Sequence, residues 1–507
     1  MFPDLKPKPE LSKSDKKQGL SMVIWDGLAT QAMVTLTGGI FLVAFALELG
    51  ASNTVIGLLA AIPPLAELLQ VPSVYIIRKV RNRRLITVTA STAARLVWLL
   101  IAAIPFLFGT ESGVWVLVGA MLCYSTISSI SHCSWNSWMH DLVPQQKIGA
   151  FFSRRMGMST ALAIPLSVAA ALFVDTWKVN PGGEVVAYAL LFFGGCIAGL
   201  IGVIFLARTP EPELGEDQKP DFGEVLKEPF ADKNFRNLLI FLGSWNFAIN
   251  LAAPFFTVYM LQRIGLDISW VIALAVMSQI VSIIFFRVWG EVADLFSHKS
   301  VLQLSGPIFI LAIIAWTFTT LPDPYILTVP ILIVIHILIG LSTAGVTLST
   351  NYIGLKLAPK GKGTAYLMAS SIMTYLAAGV APILGGVFVD FFASREVALT
   401  ITFSDPSGVL ILRPLDFQHW DFFFFFAFLI GLYSLHRLSF VREEGEEKKR
   451  VVVHELLTEV RREMRNLSTA GGLRMMVSPP VSEYLKPPKK EKRRRKPVWE
   501  EEGEQTI

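Results

Sequence analysis

Twelve apolar stretches, each about as long as a bilayer-spanning helix, constrain this chain more than any other feature. They fall near residues 22–47, 54–77, 85–108, 113–140, 157–176, 185–207, 236–262, 268–290, 300–321, 325–353, 364–391 and 421–440. A spanning helix needs about twenty mostly apolar residues and satisfies its own backbone hydrogen bonds. The expected fold is therefore an all-α polytopic membrane protein with twelve transmembrane helices. Composition agrees: 53% of residues are hydrophobic and 17% charged, against about a quarter charged in soluble chains. The polar, lysine-rich start lacks the apolar core and cleavage site of a signal peptide, so the first span is expected to be retained. Cys123, Cys133 and Cys196 all fall inside spans. They offer neither a disulfide framework nor metal-ligand spacing, and no metal or cofactor is expected.

Lys and Arg set the orientation. One set of connections carries Lys6 to Lys17, Arg78 to Arg84, Lys147, Arg154, Arg155, Arg208, Lys299, Lys356, Lys360 and Lys362; the other carries only Lys178, Arg263, Arg395 and Arg413. The positive-inside rule puts the first set and both termini in the cytoplasm. The net charge of +5 then belongs to cytoplasmic loops and tail, and gives no reason to invoke nucleic acid. The cell (cytoplasmic) membrane is the expected location.

The chain reads as a duplication. At an offset of 215 residues, Gly50 matches Gly265 and Arg83-Arg84 matches His298-Lys299. Leu142-Val143-Pro144 matches Leu357-Ala358-Pro359, and Phe173-Val174-Asp175 matches Phe388-Val389-Asp390. Ser134 and Asn136 match Ser349 and Asn351. The expected organisation is a cytoplasmic segment (1–21), a six-helix bundle (22–208), a polar linker (209–234), a second six-helix bundle (235–440) and a cytoplasmic tail (441–507). Two parallel six-helix repeats suit a rocking transporter with a site at their interface.

The loop Gly290-Glu291-Val292-Ala293-Asp294-Leu295-Phe296-Ser297-His298-Lys299 is similar to the Gly-x-x-x-Asp-(Arg/Lys)-x-Gly-(Arg/Lys)-(Arg/Lys) signature of the major facilitator superfamily. Gly290 and Asp294 match; Leu295 and Ser297 depart. The first-half copy has Tyr75 and Lys79 where Gly and Asp would stand. Asp141-Leu142-Val143-Pro144 through Gly149, with Phe151 to Arg155, resembles the loop after that family's fourth helix. The resemblance covers roughly residues 20–440. It implies two six-helix bundles, a monomer, a small-molecule substrate in the bilayer, and a central cavity lined by spans 1, 4, 7 and 10.

Polar residues follow that implication. Gln31 and Thr35 on span 1, and Asn246 and Asn250 on span 7, are each four apart and so share a helix face. On span 4, Ser128, His132 and Asn136 share a face; their counterparts on span 10 are Thr343, Thr347 and Asn351. These are substrate-cavity candidates, or else hydrogen bonds between helices. Glu67 and Arg95 lie about ten residues inside the bilayer from the basic loop between them, roughly 15 Å. A charge there costs about 2.5–3.5 kcal/mol on insertion scales. Three readings are open: a buried ion pair, a proton carrier (Glu67) tuned by Arg95, or side chains reaching water. His132 and His336 are expected to be the buried histidines, with His132 a second proton-carrier candidate.

Asp26 is expected to favour the start of span 1 electrostatically, or to act as a cytoplasmic gate. The resemblance implies a cytoplasmic latch at Gly290 and Asp294, with Asp141, Arg154 and Arg155; the signature aspartate pairs with neighbouring helix ends when the cavity faces outward. Gly379-Val380-Ala381-Pro382-Ile383-Leu384-Gly385-Gly386 is similar to a drug-antiporter motif but sits on span 11 instead of span 5; a flexible packing helix explains it equally. β-rich runs around Ser404 to Gly408 predict a hairpin near 392–420. Val451 to Leu467 predicts an amphipathic tail helix, followed by a basic, disordered run at Lys486 to Lys496. The expected function is secondary active transport of a small organic solute by alternating access, coupled to protons. The alternative is a transporter-shaped scaffold or sensor acting through its tail. The chain has no Walker loop, Gly-x-Ser-x-Gly or His-Glu-x-x-His, so it is not expected to be an enzyme.

Overall fold

The computed structural model describes residues 7–8, 11–144, 148–214, 222–320, 323–359, 362–405 and 408–443. Among them, eleven helical segments are long and apolar enough to cross a membrane, and one bent pair makes the twelfth. Span 1 is α1 (Lys13–Thr37) and α2 (Gly39–Glu48), parted at Gly38. Span 2 is α3 (Asn53–Glu67) and α4 (Gln70–Val80). Spans 3 to 6 are α5 (Arg83–Leu107), α6 (Thr110–Leu142), α7 (Ile148–Trp177) and α8 (Gly183–Arg208). A short helix, α9 (Phe222–Ala231), lies within the linker. Spans 7 to 11 are α10 (Lys233–Val258, extended by a π-turn to Ile264), α11 (Ile268–Leu295), α12 (His298–Ala315), α13 (Thr328–Leu357) and α14 (Gly363–Phe392). The antiparallel strands β1 (Glu396–Asp405) and β2 (Gly408–Gln418) precede span 12, α15 (Trp420–Ser439). The amphipathic helix expected over 451–467 and the basic run after it lie outside the described residues.

Helix starts explain the boundaries. Ser12 and Asp15 form a reciprocal capping box that starts α1 well before its apolar stretch. The bend in span 2, 44° between α3 and α4, has a local cause. Pro72 cannot donate to the Leu68 carbonyl and its ring crowds that group, so the helix breaks there.

The two halves repeat each other's packing. In the first, α1 packs on α8 and α7, α5 on α6 and α8, and α3 on α6; in the second, α10 packs on α15 and α14, α12 on α13 and α15, and α11 on α13. Gly50 and Gly265 both adopt left-handed backbone (φ +84° and +77°) where a helix turns over. The N-terminal segment bridges to the linker through Lys8 and Pro212. That end of the molecule is called the linker face below, and the opposite end the hairpin face.

At the hairpin face the halves meet along α3–α14 and α7–α11. A Cβ on Gly57 would collide with the Pro382 carbonyl, and one on Gly386 with the Asn53 carbonyl. Gly379 seats Leu65 in the same way. The glycine-proline stretch of span 11 is thus the bearing surface for span 2. Replacing Gly57 with valine is expected to open this seam. Overpacking costs about 1–3 kcal/mol, a shift of about 5- to 150-fold toward the separated form. Thiol labelling at Ile268→Cys, a buried seam position on the paired α7–α11 contact, reads that opening.

Candidate functional site

Polar contacts join the halves at the hairpin face, and two aspartates related by the repeat anchor them. The Asp390 carboxylate at the end of α14 accepts the Asn53 amide (2.8 Å), the Thr54 N–H (2.8 Å) and the Thr54 hydroxyl (2.6 Å) at the start of α3. Its counterpart Asp175, at the end of α7, accepts the Ser269 N–H (3.1 Å) at the start of α11. Asp175 and Asp390 differ by the 215-residue offset, as do Thr54 and Ser269. Each half therefore caps a helix of the other, where a carboxylate is favoured by unpaired N–H groups and the helix dipole. Lys178 adds an ion pair to Asp267 (2.8 Å). Its hydrogen bond to Asp267 holds the Lys178 ammonium above the usual lysine range. This tie is complete at lower pH and lost only as pH rises past that range.

Toward the linker face the polar residues of spans 4 and 10 are uncovered. His132, Asn136, Thr347 and Asn351 are exposed, while Ser128 and Thr343, one turn nearer the hairpin face, are half-buried. Their four-residue spacing puts each set on one helix face, and exposure along that face increases toward the linker face. Gln31 donates to Thr35 across one turn (3.3 Å), which places both on one face as their spacing requires. Asn246 and Asn250 donate to carbonyls of their own helix, Leu242 and Asn246 (2.8 Å each).

Glu67 sits at the break in span 2. Its carboxylate meets His132 Nδ1 of α6 at 2.9 Å and accepts from Gln70, the first residue beyond the break. Cys133 approaches the Gln70 carbonyl (3.5 Å). From the other half, Tyr375 of α14 lies within electrostatic range of Glu67. The His132 side chain is 59% exposed and Glu67 22%, so His132 is not a buried histidine. His336 is buried, its Nδ1 donating to the Leu332 carbonyl (2.8 Å).

Glu67 and Arg95 do not pair. Arg95 turns into the first half, toward Asp26 (3.6 Å), the Thr30 hydroxyl (2.9 Å) and the Gly199 carbonyl. It occupies space left by Gly199 and Gly202. Equal depth in the bilayer did not mean the same direction: α3 and α5 both pack on α6, but Arg95 points to α1 and α8 whereas Glu67 points to α6. Asp26 is correspondingly neither a helix-start charge nor an exposed gate; it is buried between Arg95 and Arg155 (3.7 Å).

The expected latch is not assembled. Asp141 pairs with Arg83 and His140 inside the first half, and Arg155 pairs with Asp26. Arg154 and Asp294 are exposed, and Gly290 has open space beside it.

Two further carboxylates, not singled out from the sequence, cap helices. Glu211 is fully buried and accepts the Arg83 N–H (2.7 Å), the Arg84 N–H (2.9 Å) and Arg83 Nε (3.1 Å) at the start of α5. Glu443 does the same for α12, accepting from His298 N–H (3.2 Å), Lys299 N–H (2.7 Å) and Lys356 (2.9 Å). Each follows the last helix of its half, but the hairpin breaks the 215-residue offset between them. Glu211→Ala should cost about 2 kcal/mol through the lost cap, read as a lower melting temperature in detergent.

No curated protein sequence matches the chain. Solved structures do match its fold. The crystal structure of the nucleoside transporter NupG (D323A mutant) aligns with a TM-score of 0.62 at 14% identity, covering 85% of this chain and all of that one. A D-xylose–proton symporter aligns at 0.60 with 12% identity, covering 85% and 99%. A bacterial homologue of the iron transporter ferroportin, in an inward-facing state, aligns at 0.59 with 14% identity, covering 86% and 100%. The sequence pattern of the Major Facilitator Superfamily matches residues 27–382, which takes in the reciprocal caps' first-half partners, the Glu67 break and most of the second bundle. With its spans and duplicated bundles, this multi-pass membrane protein belongs to the Major Facilitator Superfamily.

Proposed function

We propose that the chain is a proton-coupled secondary transporter that moves a small organic solute by alternating access. The observation that carries this reading is the Glu67–His132 contact at the break of span 2. A broken helix lining a cavity at membrane depth is where transporters commonly place substrate and coupling-ion groups. Here the break also ends α3, one of the four helices that form the hairpin-face seam. Any rocking of the halves moves Glu67 relative to Tyr375, so proton occupancy and seam closure are mechanically linked.

In this reading the linker face is cytoplasmic, as the Lys and Arg distribution favours, and the described state faces inward. The membrane is the cell membrane. Gln31, Thr35, Asn246, Asn250, Ser128, Asn136, Thr343, Thr347 and Asn351 supply hydrogen bonds to the solute. When the linker face closes, Asp294 and Arg154 become available to the helix ends brought toward them. One chain contains both halves of the cavity, so a monomer suffices. The neighbours of this fold are named for nucleosides, xylose and metal, so the fold itself leaves the cargo open.

The test is uptake and efflux of a metabolite and drug panel in right-side-out and everted vesicles, with and without an imposed pH gradient. Flux that follows the gradient supports the proposal and gives its direction. Flux indifferent to pH removes proton coupling. Absence of flux with folded, abundant protein removes the carrier reading in favour of a scaffold or sensor.

A further inference from the structure

In the first half one buried carboxylate, Asp26, meets two guanidinium groups, the buried Arg95 and the partly exposed Arg155. Among the described residues, Asp26 is the one carboxylate that interacts with either Arg95 or Arg155. One negative charge thus answers two positive ones. Arg95 is fully engaged by Asp26, Thr30 and Gly199. Arg155 is engaged less completely: it lies 3.7 Å from Asp26, donates through Nε to the Val23 carbonyl at 3.3 Å, and its side chain is 23% exposed. Its guanidinium also lies 5.1 Å from the centre of the Trp135 ring. Trp135 is the neighbour of Asn136 and stands one turn from His132 on α6, the helix whose polar residues line the proposed cavity.

We propose that Arg155 recognises an anionic group on the cargo, and that the cargo is a small organic monocarboxylate. The excess of one positive charge matches one negative charge. A guanidinium braced on an aromatic face presents a planar fork suited to a carboxylate. The assignment rests on the cavity being the transport site proposed above. It adds a consequence for that cycle: one proton moving with one monoanion carries no net charge. Uptake would then follow a pH gradient and ignore an imposed membrane potential.

Equilibrium binding to the purified full-length chain tests the assignment separately from transport. The probes are lactate and benzoate, with lactamide and benzamide as their uncharged partners, and glycerol 3-phosphate. The acids are expected to bind at least about tenfold tighter than the amides, because hydrogen bonds to charged groups are the stronger kind. Arg155→Gln should weaken acid binding by about tenfold to a hundredfold and erase the preference over amides. Arg155→Lys, which keeps the charge and loses the fork, should retain part of it and decides the matter if the glutamine variant does not fold. Amides binding as tightly as acids, an acid preference that survives Arg155→Gln, tighter binding of glycerol 3-phosphate, or no binding by any probe would each overturn the proposal. Acid binding lost in Arg155→Gln, without flux in vesicles, would leave it standing and remove the carrier reading instead.

Discussion

Vesicles carrying Glu67→Gln should lose solute accumulation driven by a pH gradient while still exchanging labelled for unlabelled solute. A one-unit gradient stores about 1.36 kcal/mol per proton, enough for about tenfold accumulation in a one-proton symporter. Glutamine keeps the size of the side chain and a hydrogen bond to His132, so the cavity and the seam survive. It cannot take up or release a proton, so the accumulation ratio should fall to about one. Exchange needs only the loaded carrier to rock, and does not require the proton to leave. His132→Ala separates the two partners: it removes the 2.9 Å contact but leaves the carboxyl group able to titrate. It should displace the pH optimum of accumulation without abolishing it. Equal accumulation in wild type and Glu67→Gln would reduce the pair to a structural contact.

Replacing Asp26 by alanine should damage the fold itself. Arg95 and Arg155 would then face each other in the interior with no carboxylate between them. Breaking a buried ion pair by removing one partner costs about 3–5 kcal/mol, a large share of the roughly 5–15 kcal/mol that holds a domain together. Low folded yield and a sharply reduced melting temperature in detergent are expected. Removing both charges of the tighter contact, as Asp26→Leu with Arg95→Met, should recover much of the loss, since apolar side chains of similar size often replace a buried pair without penalty. Melting of Asp26→Ala close to wild type would mean that water or lipid headgroups already neutralise the cluster.

The spans were legible because bilayer insertion imposes length and polarity so strongly. The apolar stretch at 268–290 became α11 from Ile268, and that at 364–391 became α14 from Gly363. The duplication was legible too, and its least conspicuous match, Asp175 with Asp390, became the reciprocal caps. Partners were the harder matter. Glu67 and Arg95 could be placed in depth from the sequence but not around the helix bundle, and depth alone suggested the wrong partner for each. Asp26 showed no sign of burial, because a carboxylate near a helix start has an adequate local explanation. Pro72 did carry a readable signal, since a proline four residues after Leu68 breaks the ladder beside Glu67. Glu211 and Glu443 lie in polar connections where acidic residues are ordinary; only the folded chain brings them to the starts of α5 and α12.

The crossed aspartate caps also describe a history. If the two halves were separate identical chains, Asp175 of each would cap the same helix of the other, which is the self-complementary contact of a two-fold dimer. Joining the copies freed the corners to diverge. In this chain Asp390 makes three hydrogen bonds at its corner, where glycines also let α3 and α14 touch backbone to backbone. Among the described residues, Asp175 accepts a single one at the other. If the halves rock as proposed, the α7–α11 corner, held by Asp175 and the Lys178–Asp267 ion pair without such a backbone seat, is expected to part first.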